Sequence, residues 1–241
     1  MRVLYRDDLV IAIDKPAGVA TVPGRSSGGT RASSGARAAP EEPLSAQVRT
    51  IAADALPVHR LDRDTSGVVL FALGKAAHRA LSMSFQSRRA EKTYLGLCRG
   101  DLPPTRCDLP LTEGRKGAMR IAVGTDKRGQ PSLTEFTPLE RFPGFTWVEA
   151  HPRTGRTHQI RVHLAALGHP LAIDPRYGDS RPIEARDLLP GSDGVVLDRL
   201  PLHAAALRVP HPSGRGWLTV ESPLPADLLR CLELLRAHRR G

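Results

Sequence analysis

Apolar residues along this chain change period several times, and each change marks an element. Residues 3–5 and 9–13 are apolar runs on either side of Arg6-Asp7-Asp8, which predicts two strands joined by a turn. Asp14-Lys15-Pro16-Ala17-Gly18 then breaks the second strand, because proline fixes one φ angle and glycine permits a positive one. Lys15 reads as a solvated turn lysine, with a phosphate contact as the alternative. Residues 24–43 have no periodic apolar positions and are rich in Gly, Ser and Arg. They predict a flexible loop, too polar to offset its ordering entropy. Residues 44–56 carry Leu44, Val48, Ile51 and Leu56 at helical spacing, and Pro57 stops that helix. Residues 68–73 are continuously apolar and predict a buried strand. An amphipathic helix follows over 75–89, with Lys75, Arg79, Arg88 and Arg89 outside, then a core strand over 90–98 that contains Tyr94.

The second half repeats these signals more weakly. Residues 101–130 form an excursion rich in Pro, Gly and charge, with one strand at 119–123. Strands are predicted at 132–139 and 145–151 from their β-type residues. Ile160, Leu164 and Leu167 recur at helical spacing, with Gly168 placed as the C-cap. Residues 170–178 read as a short strand and turn, 179–199 as loop, 202–209 and 217–221 as a strand pair, and 224–238 as a closing helix.

Length and charge narrow the class. The 241 residues suit one large domain or two small ones, and the formal net charge is +10. Arginine far outnumbers lysine, which favours bidentate phosphate contacts and a polyanionic partner. Aromatic residues are 4% of the chain, too few for a surface built mainly on base stacking. No apolar run approaches the ~20 residues of a membrane span, and the first residues lack the apolar stretch of a signal peptide. Cys98, Cys107 and Cys231 give neither a disulfide framework nor a metal-binding pair, so a reducing, intracellular compartment is expected.

The stretch Val58-His59-Arg60-Leu61-Asp62-Arg63-Asp64-Thr65-Ser66-Gly67 sets two carboxylates, two guanidiniums and an imidazole directly ahead of the 68–73 strand. Charges beside a core strand are costly to bury unless paired. They build either an ion-paired corner or a reactive group. His151, His158, His163 and His169 lack metal-ligand spacing, and His163 reads as a hydrogen-bonded core residue. Asp62-x-Asp64 resembles an aspartyl-phosphatase doublet, but that motif follows its strand and this one precedes it. Thr65-Ser66-Gly67 lacks the Gly-x-Ser-x-Gly elbow of a serine nucleophile and reads as a turn. Arg156 sits near a helix N-terminus, where the dipole disfavours a cation unless an anion binds there. Asp62, Tyr94 and Arg161 together suit a carboxylate held ionised by a guanidinium and covered by a ring.

At this point His59-Arg60-Leu61-Asp62-Arg63-Asp64-Thr65-Ser66-Gly67 resembles the signature of the RluA-type pseudouridine synthases. Residues 9–18, ending in Lys15-Pro16-Ala17-Gly18, look like the family's opening strand and turn. Glu91-Lys92-Thr93-Tyr94-Leu95 looks like its tyrosine motif, and residues 154–163 like its basic motif. Gly168-His169-Pro170-Leu171 and Asp174-Pro175-Arg176-Tyr177-Gly178 continue the agreement. The resemblance implies an α+β fold, with a mostly antiparallel central sheet and flanking helices. It implies Asp62 as the nucleophile that assists cleavage of the N1–C1′ bond of a flipped-out uridine, which then rejoins through C5. Tyr94 becomes the ring on the uracil and a base late in the reaction, and Arg161 the partner of Asp62. Arg60 helps hold the nucleotide, with His59, Thr65, Arg156, His158 and Gln159 as further substrate contacts.

No cofactor or metal is implied. Many relatives carry an S4 RNA-binding domain. The catalytic pattern here begins within the first few residues, so one S4-less catalytic domain over 1–241 is expected. The expected partner is RNA, ribosomal or transfer, bound by a cytoplasmic monomer. A catalytically silent RNA-binding protein on the same scaffold is the alternative. Intact Asp62, Tyr94 and Arg161 argue against it.

Overall fold

The computed structural model describes residues 1–23, 42–114, 117–123, 126–188 and 192–238. Strands β1 (Arg2–Arg6) and β2 (Val10–Lys15) form the first hairpin, and the Asp7 carboxylate accepts the N–H groups of Leu9 and Val10 to close its turn. The chain continues through helix α1 (Leu44–Arg49), β3 (Ala55–Pro57), β4 (Ser66–Leu73), α2 (Gly74–Gln86) and β5 (Glu91–Arg99). Next come β6 (Thr105–Cys107), β7 (Leu111–Glu113), β8 (Met119–Ile121), β9 (Thr134–Phe142) and β10 (Phe145–Pro152). Helix α3 (Gln159–Ala166), β11 (Ile183–Glu184), β12 (Val195–Leu197), β13 (Leu202–Pro210), β14 (Trp217–Glu221) and α4 (Ala226–His238) complete it.

Ten strands share one sheet, in the order β1-β2-β4-β13-β5-β10-β9-β6, with β3 beside β4 and β14 beside β13. Among the described residues every pairing in it is antiparallel except β4 with β13. The fold is therefore the α+β, mostly antiparallel architecture expected.

Strand β4 is apolar along its whole length because both its faces are covered. Val68, Leu70 and Ala72 pack with Val10, Ala12 and the α2 residues Ala77 and Leu81. Val69 and Phe71 pack on the other face, with Ile11, Ile13 and the α1 residues Leu44 and Val48. Each Val, Leu, Ile or Phe among them contributes about 1.5–3 kcal/mol on burial. At the other end of the sheet, α4 covers Leu97 and Trp147, while α3 covers Cys98, Val148 and Ala150.

Four segments depart from the sequence reading. Residues 44–56 are not one helix: α1 ends at Arg49, and Ala55–Pro57 pairs with β4 at Phe71–Leu73, an edge that β13 does not reach. Residues 170–178 contain a single bridge, Cys98 to Leu171, in place of a strand. The 179–199 segment holds the small β11–β12 pair, and the 101–130 excursion holds three short strands instead of one. The loop expected at 24–43 lies outside the described residues, apart from its last two positions.

Candidate active site

The loop between β3 and β4 carries Asp62 and is tied down from below by the turn after β2. Lys15 is fully buried, and its ammonium donates to the carbonyls of Pro16, Val19 and Arg63 at 2.8, 2.8 and 2.9 Å. It is a clamp on this loop rather than the solvated turn lysine expected. The Thr21 hydroxyl donates to the Leu61 carbonyl and accepts the Leu61 N–H. Gly18 N–H donates to the Arg63 carbonyl at 2.9 Å. These bonds bury Leu61 and hold the Asp62 side chain at 19% exposure on the wall of a cavity of about 540 Å³. That volume is in the range of a small-molecule or nucleotide pocket.

Arg161, on α3, faces Asp62 with Nη1 at 3.5 Å from Oδ2. Its stronger attachment is to Asp174, a fully buried carboxylate, with Nε and Nη2 at 2.8 and 2.7 Å in a two-pronged contact. Burial alone would lower the pKa of Arg161, but the hydrogen bonds and charge of Asp174, then the charge of Asp62, raise it above its usual value. His158 Nε2 lies 3.8 Å from Asp62 Oδ2, while its Nδ1 is 2.7 Å from the Tyr177 hydroxyl. Burial keeps His158 below its usual pKa despite the Asp62 charge. The Tyr177 ring stacks under Arg161, 5.1 Å from the guanidinium carbon, and its hydroxyl accepts the Met119 N–H.

His158 adopts φ +53°, a left-handed backbone that costs a non-glycine residue about 1 kcal/mol or more. Such strain concentrates at functional sites. Tyr94 lines the same cavity, and burial, then the Asp62 charge, push its phenol above its usual pKa. It therefore stands in the resting site as a neutral ring and hydroxyl.

All nine residues singled out in the sequence line this cavity, but they do different work. Asp62, Tyr94, Arg60, Arg156, Arg161 and His158 present polar groups or rings to it. Gln159 is buried, and its amide is saturated: Nε2 donates to the Leu133 carbonyl and the Thr134 hydroxyl, while Oε1 accepts from Thr154 and the Arg156 N–H. It shapes the 154–156 turn. His59 stacks on Phe85 at 4.9 Å, and its Nε2 accepts the Leu70 N–H. Burial, then the Lys92 charge, push its pKa down to about 3, so it is a neutral pin between the loop and β4. Thr65 is buried, 2% exposed.

Asp64 is exposed and does not line the cavity. Ser66 belongs to a buried relay, with its hydroxyl 3.0 Å from His203 Nδ1, His203 Nε2 3.1 Å from the Ser222 carbonyl, and the Ser222 hydroxyl on Asp14. His163 is indeed a hydrogen-bonded core residue, held by Ser132, Thr134 and the Leu109 carbonyl. The other clustered histidines point to separate partners, His151 to Glu149 and His169 to the Arg99 carbonyl.

Three site residues escaped the sequence reading as such. Asp174 and Tyr177 stood in a stretch read as strand and turn and as a continuation of the family resemblance, with no role given to either residue. Lys92 stands two residues before Tyr94, hence on the same face of β5, and donates to the Thr154 carbonyl at 2.9 Å. Burial lowers its pKa to about 8. Among the described residues the cavity thus sets Arg60, Arg88, Lys92, Arg153, Arg156 and Arg161 around a single carboxylate, Asp62. A polyanion with one reactive group inserted fits such a wall.

Comparison with known proteins identifies the family. Two ribosomal large subunit pseudouridine synthases C are similar over nearly the whole chain. That of Salmonella typhi is 38% identical over 237 residues, 98% of this chain and 70% of its own. That of Escherichia coli (strain K12) is 39% identical over 239 residues, again 98% and 70%. Among solved structures, human RNA pseudouridylate synthase domain containing 1 superposes with a TM-score of 0.69 at 29% identity, covering 99% of this chain and 94% of its own. Human RNA pseudouridylate synthase domain containing 4 gives 0.74 at 22% identity, over 97% and 92%, and supports the fold alone. Residues 9–166, which include β2, the Asp62 loop, Tyr94 and Arg161, match the RNA pseudouridylate synthase family, and the chain belongs to it.

Proposed function

We propose that this RNA pseudouridine synthase isomerises a uridine of large-subunit ribosomal RNA in the 540 Å³ cavity, with Asp62 as the nucleophile. The observation that carries the reading is the Asp62 carboxylate, set on the cavity wall 3.5 Å from Arg161 and flanked by His158 at 3.8 Å. A target base must leave its stack to reach such a wall. The ring of cations receives the phosphates around it. Asp62 assists breaking of the N1–C1′ bond. The uracil turns against the Tyr94 ring, a bond forms between C5 and C1′, and the C5 proton leaves. Asp174 keeps the Arg161 guanidinium aimed at Asp62 throughout.

The ribosomal target, in preference to transfer RNA, rests on the names of the similar proteins from Salmonella typhi and Escherichia coli. A ribosomal target supports a cytoplasmic location.

The test is release of tritium from large-subunit ribosomal RNA labelled at uridine C5. The wild-type protein should release it, and Asp62→Asn should release none while keeping RNA affinity within a few-fold. Asp64→Asn should remain close to wild type. Binding without release by the wild type would leave the silent RNA-binding scaffold as the correct reading. Turnover by Asp62→Asn would remove Asp62 as nucleophile.

A further inference from the structure

Helix α2 ends in a way its sequence does not favour. After the C-cap Ser87 the chain reverses through Arg88 at φ +59°. Arg89 N–H reaches the Ser84 carbonyl at 2.9 Å and Arg88 N–H the Phe85 carbonyl at 3.2 Å. This is the double hydrogen bond of a Schellman turn, whose left-handed position is usually glycine. Here it holds an arginine. Among the described residues only His158 shares a positive φ without being glycine, and both residues line the cavity.

The reversal sends successive side chains to different places. Arg88 goes to the cavity wall, and Arg89 lies over the exposed Trp217 ring at 5.9 Å. Arg208 covers the same ring at 4.2 Å, while also pairing with Glu91. The Arg88 side chain is exposed, and among the described residues it makes no hydrogen bond, ion pair or ring contact. A guanidinium with no partner among the described residues, in a backbone conformation that glycine would adopt at less cost, points to a task other than holding the turn.

We infer that Arg88 is a phosphate anchor for the RNA strand at the mouth of the cavity, and that the strand continues from it over Arg89 to the Trp217 ring. The inference rests on the RNA-modifying reading of the cavity. Charge and continuity support it: Arg88 belongs to the wall that takes the flipped nucleotide, and the next residue leads to an exposed aromatic face flanked by two arginines. An aromatic ring of this kind accepts a base by stacking, without regard to sequence.

Arg88→Gly separates anchoring from folding, because glycine suits the turn. Its thermal midpoint should equal or exceed that of the wild type. Its KM for a large-subunit ribosomal RNA transcript should rise about tenfold, with a smaller change in kcat, and the slope of log affinity against log salt should shrink by roughly 1. Arg88→Lys should restore the slope. In the Asp62→Asn background, saturating transcript should change Trp217 emission, and Trp217→Phe should remove that response; Trp147 is buried and silent to the surface.

A wild type that releases no tritium defeats the functional reading itself. A wild type that turns over, alongside Arg88→Gly with unchanged KM and salt slope, defeats the anchor alone. A lowered melting temperature in Arg88→Gly would assign Arg88 to structure and overturn the anchor too. Trp217 emission indifferent to RNA overturns the path over that ring.

Discussion

Arg161 divides its guanidinium between two carboxylates of unequal standing. Asp174 takes two short hydrogen bonds in a site closed to solvent, and Asp62 takes one longer contact at the cavity. The buried pair fixes the plane of the guanidinium, and the remaining nitrogen is left to steady the Asp62 carboxylate. Removing one partner of a buried pair leaves an uncompensated charge, at a cost of about 3–5 kcal/mol. Asp174→Asn should therefore lower unfolding free energy by roughly that amount in urea titration. Its single-turnover rate should fall as well, because Arg161 is released to close on Asp62. A variant of wild-type stability and rate would mean that other contacts position Arg161. The sequence identified Arg161 and Asp62 as partners, since a carboxylate, a ring and a guanidinium in separate apolar settings suit one another. It did not identify Asp174, because nothing in the turn around it says which cation it will meet.

Strands β4 and β13 decide how the Asp62 loop enters the sheet. They run parallel, His203 opposite Ser66 and Ala204 opposite Gly67, so the end of the loop abuts a backbone. Gly67 has φ +115°, and a Cβ there would lie 2.2 Å from the Ala204 carbonyl oxygen. Backbone cannot yield as a flexible side chain can. Gly67→Ala should cost about 3 kcal/mol or more, a drop in thermal midpoint of roughly 6–12 °C, if it folds at all. Circular dichroism melts would show it, and a midpoint within 2 °C of the wild type would mean that the strands can part at no cost. The Lys15 clamp works from the other side of the same loop, and a buried lysine in a turn was the element-scale surprise. Its ammonium is tolerated because three carbonyls replace its water.

Across the whole molecule, buried histidines tie stability to pH. His59 is pushed to about 3, and His158, His163 and His203 lie below their usual value, in each case chiefly through burial. In the unfolded chain all four take up protons below about pH 6.5. The folded protein refuses them until lower pH, so the unfolded state binds more protons in between. Stability is thus complete above about 6.5 and is lost as pH falls toward the folded values. The carboxylates held below their usual range, Asp7, Asp126, Asp187 and Asp227, add to the loss only nearer pH 4 and under. The thermal midpoint should fall by roughly 5–10 °C between pH 7 and pH 4.5. A midpoint flat over that interval would show that these rings protonate in place.

The sequence by itself determined the class of fold and singled out Asp62. Apolar period is a local property, and the continuous 68–73 run, the Tyr94 strand and the Ile160–Leu164 spacing each survive as elements close to where they were read. The Asp62 motif is local as well. Tertiary structure decided everything that depends on a distant partner. It turned residues 55–57 into a strand, because β4 offered an open edge there. It tied Gln159 and His59, both on the cavity lining, into hydrogen-bond networks within the fold. It joined Asp174 to Arg161, and it aimed Arg88 at the cavity through a left-handed turn. Hydrogen-bond satisfaction is counted across the fold, whereas periodicity is counted along the chain, and only folding brings the two together.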